Sequence, residues 1–307
     1  MEKLVIKSNA LTSINPSVNK LSIKKLDIVL LLLLAGFSYW IYHRSSVGVN
    51  YSWRWQDAFS LLFTPRANGS VPYFFQGLIA TLRLSIWGMI LALGLGTALG
   101  VARHSKITLF AVPANMFVQL IRNIPPLVFV FIFYFFISNQ LIPFMGLDGL
   151  LRESSGDINW LQSVLFGPAN LWENLLSGVL CVGLLSAAYV AEVVRSGLSG
   201  IPKGQWEAAD SLGLSRWTKY RYVIAPQVFA AVTPALAGQA ISLVKDTSIV
   251  SLISIQEMTF VGTEIANSSG LIFEIWLIVG LCYLVICLSL SLFFKKLENK
   301  SLRHLKR

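Results

Sequence analysis

The chain has 307 residues, 55% of them hydrophobic and 13% charged, and a mean hydropathy of +0.64, whereas a soluble domain carries about a quarter charged residues. This balance excludes an ordinary water-soluble globular protein and turns attention to apolar runs able to cross the roughly 30 Å hydrocarbon core as helices. The net charge of +10 does not signal nucleic acid, because the 25 Lys and Arg residues sit mostly at the edges of the apolar runs.

Six such runs follow one another. The first, Ile28–Tyr42, comes after Lys20, Lys24 and Lys25 and ends in Tyr39, Trp40 and Tyr42, an aromatic cluster suited to the membrane interface. No small-x-small site follows His43 and Arg44, so the run reads as an uncleaved anchor helix, with a cleaved secretory leader as the competing reading. An external loop, marked by Trp53, Arg54, Trp55, Pro65, Asn68, Gly69 and Pro72, leads to the second run, Phe74–Ala102. That run carries Gly88, Ala92, Gly96 and Gly100 at a spacing of four, which lets two backbones approach closely and predicts a helix–helix interface.

The third run, Ile107–Ile142, is interrupted by Arg122, Asn123, Pro125 and Pro126. A second external loop, Leu147–Asn170, precedes Leu171–Val194, Val223–Val244 and Leu271–Phe294. If the third run is one broken helix, eighteen basic residues fall on the side of both termini, four on the other (Arg44, Arg54, Arg66 and Arg152), and Arg83, Arg122 and Lys245 within the membrane. Two helices there would place the Arg195–Arg221 loop and the basic tail outside, against the positive-inside rule. The expectation is therefore an all-α integral membrane protein with both termini cytoplasmic. It divides into a cytoplasmic segment 1–26, an anchor helix 27–43, an external loop 44–73, a transmembrane domain 74–294 and a basic tail 295–307.

The sequence holds no phosphate-binding GxxxxGK[ST] loop, no HExxH, no GxSxG and no metal-type cluster of His, Cys and carboxylates, so neither ATP hydrolysis nor another catalytic activity is expected of this chain. Cys181, Cys282 and Cys287 lie in apolar stretches and read as core or lipid-facing residues, while His43, His104 and His304 lie just outside the runs and read as solvated. Asn68-Gly-Ser and Asn267-Ser-Ser match the glycosylation tripeptide by chance.

Ionisable groups in or near a membrane are costly and usually face a partner or a water-filled cavity. Arg83 either lines a pathway or snorkels outward. Arg122 sits where its helix breaks and can serve the freed carbonyls. Glu192 and Arg195, three apart, share one helical face as an ion pair. Lys245-Asp246-Thr247-Ser248 follows a span containing Pro226 and Pro234, and offers both charge signs and two hydroxyls at an irregular helix end, which suits a zwitterionic solute.

The loop 195–222 is the most informative stretch. Gly200 and Pro202 end one helix and start the next. Lys203–Leu212 reads as a short helix that Gly213 can close in the left-handed conformation, and Ser215 can cap a second piece running to Val223. Two short helices across the mouth of a bundle form a surface that another protein can grip.

Glu207-Ala208-Ala209, Gly213 four residues on, and Val223-x-Ala225-Pro226 resemble the EAA loop of ABC importer permeases. Further strings are similar to the polar amino-acid permease family of the histidine/glutamine type: Gly77-Leu-x-x-Thr81-Leu-x-Leu-Ser85, Arg122-x-x-Pro125-Pro126-Leu127, Ala188-Tyr189-Val190-Ala191-Glu192, Ile201-Pro-Lys-Gly-Gln-Trp-Glu207 and Lys245-Asp-Thr-Ser248. The likeness covers about Phe74 to Phe294. Ala225 replaces the usual leucine, Arg122-Asn123-Ile124-Pro125 replaces the usual Arg-Gly-Thr-Pro, and the first helix with its loop is an extension resembling general L-amino-acid importers.

The resemblance implies a five-helix type I permease core after the anchor helix, in the bacterial inner membrane. It implies Glu207, Ala208, Ala209, Gly213 and Pro226 as the ATPase-coupling positions, with Lys245, Asp246, Thr247, Ser248, Arg83 and Glu192 as substrate-pathway candidates. The partners implied are two copies of an ABC ATPase subunit, a homologous second permease in a heterodimer, a periplasmic amino-acid-binding protein, the amino acid itself and membrane lipid, with no cofactor or metal. A secondary amino-acid transporter remains the alternative, and it would need no docking loop.

Overall fold

The computed structural model describes residues 25–48, 51–65, 71–144, 146 and 159–305. Arg66, Arg152, the Asn68 tripeptide and the basic residues before Lys25 lie outside them. The chain divides into two compact units, Met1–Trp53 and Arg54–Arg307. In the first, α1 (Lys25–Gly48) presents Ile28 to Leu34 as an exposed aliphatic surface, and Tyr42 stacks on Trp53 with ring centres 6.0 Å apart.

In the second unit, helices are the regular secondary structure among the described residues. A short helix, α2 (Trp55–Phe63), precedes the 32-residue α3 (Tyr73–His104). α4 (Thr108–Asn123) and α5 (Pro126–Ile132) are separated by Ile124 in an extended conformation before Pro125. The residue before proline is pushed out of the helical region and proline offers no N–H, so the third apolar run breaks at its Pro-Pro pair. A π-helical stretch, Phe133–Ser138, leads into α6 (Asn139–Phe144). Then come α7 (Trp160–Phe166) and the 28-residue α8 (Trp172–Ser199). α9 (Lys203–Ser211), α10 (Arg216–Lys219) and a π-helical stretch Tyr220–Ile224 lead to α11 (Ala225–Asp246). After the 3₁₀ segment Thr247–Ile253 come α12 (Met258–Ser269) and the 34-residue α13 (Ile272–Leu305).

The small-residue ladder of α3 is buried along its length, and its partner is α8. A Cβ added at Gly88 would lie 2.9 Å from Val182, at Gly96 2.6 Å from Val190 and at Gly100 2.8 Å from Val194, each partner 94 positions further along the chain. The reverse contact, Gly178 against Leu84, keeps the same offset. A constant offset means that α3 and α8 run parallel, so the chain between them returns once to the end where α3 began. α11 runs the other way, because Gly197 meets Val228 and Val232 while Leu243 reaches Gly88.

Five helical stretches have the length and composition of membrane spans: Tyr73–His104, Pro126–Phe144, Trp160–Ser199, Arg216–Ile253 and Ile272–Glu298. Neither α1 nor the 16-residue α4 is among these five. The cores lie along the α3–α8 seam, where Leu84, Val118, Phe129, Val182 and Leu185 pack, and beneath α12, where Phe74, Met258, Val261 and Ile275 pack. Cys181 is buried and Cys282 and Cys287 are half-buried, all three free, as their apolar settings predict.

Candidate functional site

At the end of α8 the chain turns through Gly200, and α9 begins immediately after Pro202. The helix is closed by its own backbone: Gly213 N–H donates to the Asp210 carbonyl (2.9 Å) and Leu214 N–H to that of Ala209 (3.3 Å). Gly213 sits at φ +68°, the left-handed conformation that only glycine adopts without strain. Ser215 caps α10 by accepting from Thr218 N–H at 3.2 Å. Pro226 occupies the first turn of α11, where a missing N–H costs nothing.

One side of this pair is anchored. Ala209 is 2% exposed. The Trp206 ring stacks on His104 of α3 and meets Tyr220 edge-on, and Gln227 of α11 donates to Gln205 at 3.2 Å. Asp210 and Lys219 form an ion pair between the two short helices. The stacking of His104 departs from the solvated position read from sequence, because α9 folds back across the end of α3. Other side chains of the loop are exposed: Glu207 and Ala208, and Leu212, Trp217 and Tyr222 at 77%, 71% and 69%.

The pathway candidates fall in three separate places. Lys245, in the last turn of α11, and Ser248 line a cavity of about 280 Å³ with Thr259, Trp276 and Tyr283. Thr247 is fully buried and bonds to the Val244 carbonyl, and Asp246 is half-buried outside that lining. Arg83 instead donates from Nε to the Val164 carbonyl and from Nη2 to that of Ser163, both at 2.8 Å, holding the last turn of α7. Glu192 pairs with Arg195 as its spacing predicts, and also with Arg103 (2.6 Å) and Arg122 (3.2 Å). Arg122 thus turns to a carboxylate, with its guanidinium 5.8 Å from the Tyr189 ring centre, rather than to the carbonyls freed by the helix break.

Sequence reading passes over Glu257, which is fully buried. Its carboxylate accepts from Thr81 Oγ1 (3.2 Å), the Tyr283 hydroxyl (2.8 Å) and Phe260 N–H (2.9 Å), joining α3, α12 and α13. Thr81 Oγ1 in turn accepts from Met258 N–H at 3.0 Å. Burial pushes the Glu257 carboxyl above the usual carboxylate range, against the opposing pull of its hydrogen bonds. No strong signal marks it, since Glu257 lies in the mixed stretch Ile253–Phe260 beside Ser254, Gln256 and Thr259.

A helical bundle that crosses a membrane and presents a rigid two-helix projection beyond one end is the architecture of a transporter's membrane subunit. The chain belongs to the family of binding-protein-dependent transport system inner membrane components, whose model matches residues 90–303. It is 30% identical to the glutamate/aspartate import permease protein GltK of Escherichia coli O6:H1, over 76% of this chain and 95% of that one. It is also 30% identical to the probable amino-acid ABC transporter permease protein YckA of Bacillus subtilis, over 80% and 96% of the two chains. A solved chain from an amino acid ABC transporter with histidines superposes with a TM-score of 0.59 at 28% identity, covering 75% of this chain and 94% of that one. The protein is thus an inner-membrane component of a binding-protein-dependent importer.

Proposed function

We propose that the chain is a permease subunit of an ATP-driven importer of amino acids, and that the projection at Lys203–Val223 is where the ATPase subunit docks. The observation that carries this reading is the closed helix α9, anchored through Trp206 and Ala209 and leaving Glu207 exposed, within a loop that also exposes Leu212 and Trp217. Exposed Trp217 and Tyr222 are of the residue types that supply most of the energy at protein interfaces. Amino-acid uptake is supported by the activities of the relatives, and by a cavity in which Lys245 offers a cation to a carboxylate while the hydroxyl oxygens of Ser248 and Tyr283 can accept from an ammonium group.

In the proposed assembly, residues 74–294 form the transmembrane domain, the anchor helix 27–43 precedes it, and a homologous permease completes a heterodimer over two ATPase copies. An external binding protein delivers the solute. ATP binding draws the two docked loops together and shifts the permease pair toward its outward-facing state, a population shift whose size is set by the differential contacts of the two states. Glu207 and Gly213 transmit the motion, Glu207 by its charge and Gly213 by fixing where the helix ends.

The test is purification of the tagged chain from its native membrane in mild detergent, with every copurifying protein identified, for the wild type and for Glu207→Lys. Recovery of an ATPase and a second permease with the wild type, and loss of the ATPase alone from the variant, supports the reading. A wild-type chain that purifies alone and moves amino acids in liposomes without ATP overturns it.

A further inference from the structure

Glu192 is one carboxylate facing three guanidinium groups drawn from three parts of the bundle. Arg195 lies one turn on along α8, Arg103 is in the last turn of α3, and Arg122 is the penultimate residue of α4. The Arg103 side chain is 5% exposed, and its Nε donates to Asn115 Oδ1 of α4 at 2.8 Å, so α4 is held at its middle and at its end. The cluster carries a net charge of two positive units, and the Glu192 carboxylate pairs with all three cations, while Asn115 also holds Arg103 and the Tyr189 ring lies against Arg122. Replacing it with a neutral group leaves the buried Arg103 without its counter-charge beside two guanidiniums that are about a third exposed.

The neighbours of this cluster give it a direction. His104, next to Arg103, stacks on Trp206 of α9, with its Nδ1 3.5 Å from Ser199 Oγ at the end of α8. Arg122 is followed at once by Asn123 and the extended Ile124 that breaks the third run before α5. A continuous chain of contacts therefore runs from α9 through Trp206, His104 and Arg103 to Glu192, and on through Arg122 to the helix break.

We infer that Glu192 is a positioning residue whose negative charge makes the ends of α3, α4 and α8 move as one body with the α9–α10 projection. This inference rests on the permease reading and gives Glu192 a role exercised through the helices it joins. With the charge in place, displacement of α9 is carried into α3 and the broken helix. Without it the displacement is absorbed locally, and ATP hydrolysis runs on without translocation.

The experiment uses the complete complex with its own ATPase and binding protein in proteoliposomes. It measures uptake of radiolabelled glutamate, glutamine or arginine, whichever the wild type accumulates, per ATP hydrolysed. Glu192→Gln is expected to keep basal ATP hydrolysis within about two-fold of wild type while uptake per ATP falls by about ten-fold, with Glu192→Asp restoring most of the ratio. Should Glu192→Gln fail to assemble, Arg122→Gln at its 36% exposed position is the second variant, with an expected fall of about three-fold. A purely structural cluster would lower yield, uptake and hydrolysis together and leave the ratio unchanged, which overturns the inference. A wild-type complex without ATP-driven uptake overturns the permease reading itself, a result seen before any variant is made.

Discussion

Gly94 and Gly96 lie two residues apart on α3 and predict opposite outcomes for the same substitution. A Cβ at Gly94 meets nothing within 4 Å, whereas one at Gly96 would lie 2.6 Å from Val190 Cβ and 2.8 Å from the Ala187 carbonyl oxygen. Both atoms are fixed to the α8 backbone and cannot rotate away, so α8 has to retreat by about 0.8 Å to restore an ordinary 3.4 Å contact. Overpacking of this kind costs about 1–3 kcal/mol. For a domain of this size, a midpoint drop of roughly 4–8 °C follows from a cost of about 2 kcal/mol. Gly94→Ala gains up to about 1 kcal/mol of helix propensity and loses no contact. The assay is survival of the detergent-solubilised complex on size exclusion after stepwise heating, with wild type, Gly94→Ala and Gly96→Ala side by side. Equal midpoints for the two variants, within about 1 °C, would refute the parallel α3–α8 seam as the reason for the glycine stripe.

Thr81→Val keeps the shape but removes the acceptor for Met258 N–H and a donor to Glu257, so it should cost about 1–3 kcal/mol in the same heating assay, with Thr81→Ser recovering most of it. Arg83→Gln should loosen α7, seen as faster proteolysis around Trp160, while the apparent affinity for the transported amino acid stays unchanged. A large rise in KM would instead return Arg83 to the pathway. Gly213→Ala forces a Cβ into the left-handed region at a cost of about 1–2 kcal/mol and should reduce ATPase copurification without lowering the yield of the membrane-bound chain.

Some of this structure is legible in the residues alone, for reasons of geometry. A spacing of four puts Gly88, Ala92, Gly96 and Gly100 on one line of a helix, so the seam could be predicted, although not that α8 would fill it. The Pro125-Pro126 pair forces a break wherever it falls, and the left-handed end at Gly213 and the cap at Ser215 follow from local backbone chemistry. What the sequence hid depends on contacts far along the chain. Nothing near Glu192 except Arg195 announces that Arg103 and Arg122 will reach it, and Thr81 meets Glu257 across 176 positions. Arg83 has partners hidden in the same way, because the carbonyls it serves belong to α7, eighty positions away. Among the coupling positions, exposure separates Glu207 from Ala209, a distinction that the tripeptide alone does not draw.

The backbone bonds that close α9 on itself also bear on how the complex assembles. Ordering a loop on binding costs roughly 1–2 kcal/mol for each residue fixed. The nine residues of α9 are already held by Gly213, Ala209 and Trp206 before any partner arrives. Docking can then proceed as the meeting of two finished surfaces, with contact energy going into affinity instead of into folding. The same rigidity keeps Leu212, Trp217 and Tyr222 bare in a chain that has not yet been assembled. Large apolar side chains held open in this way invite self-association, so newly made subunits that outnumber their ATPase should be the first to aggregate or be degraded.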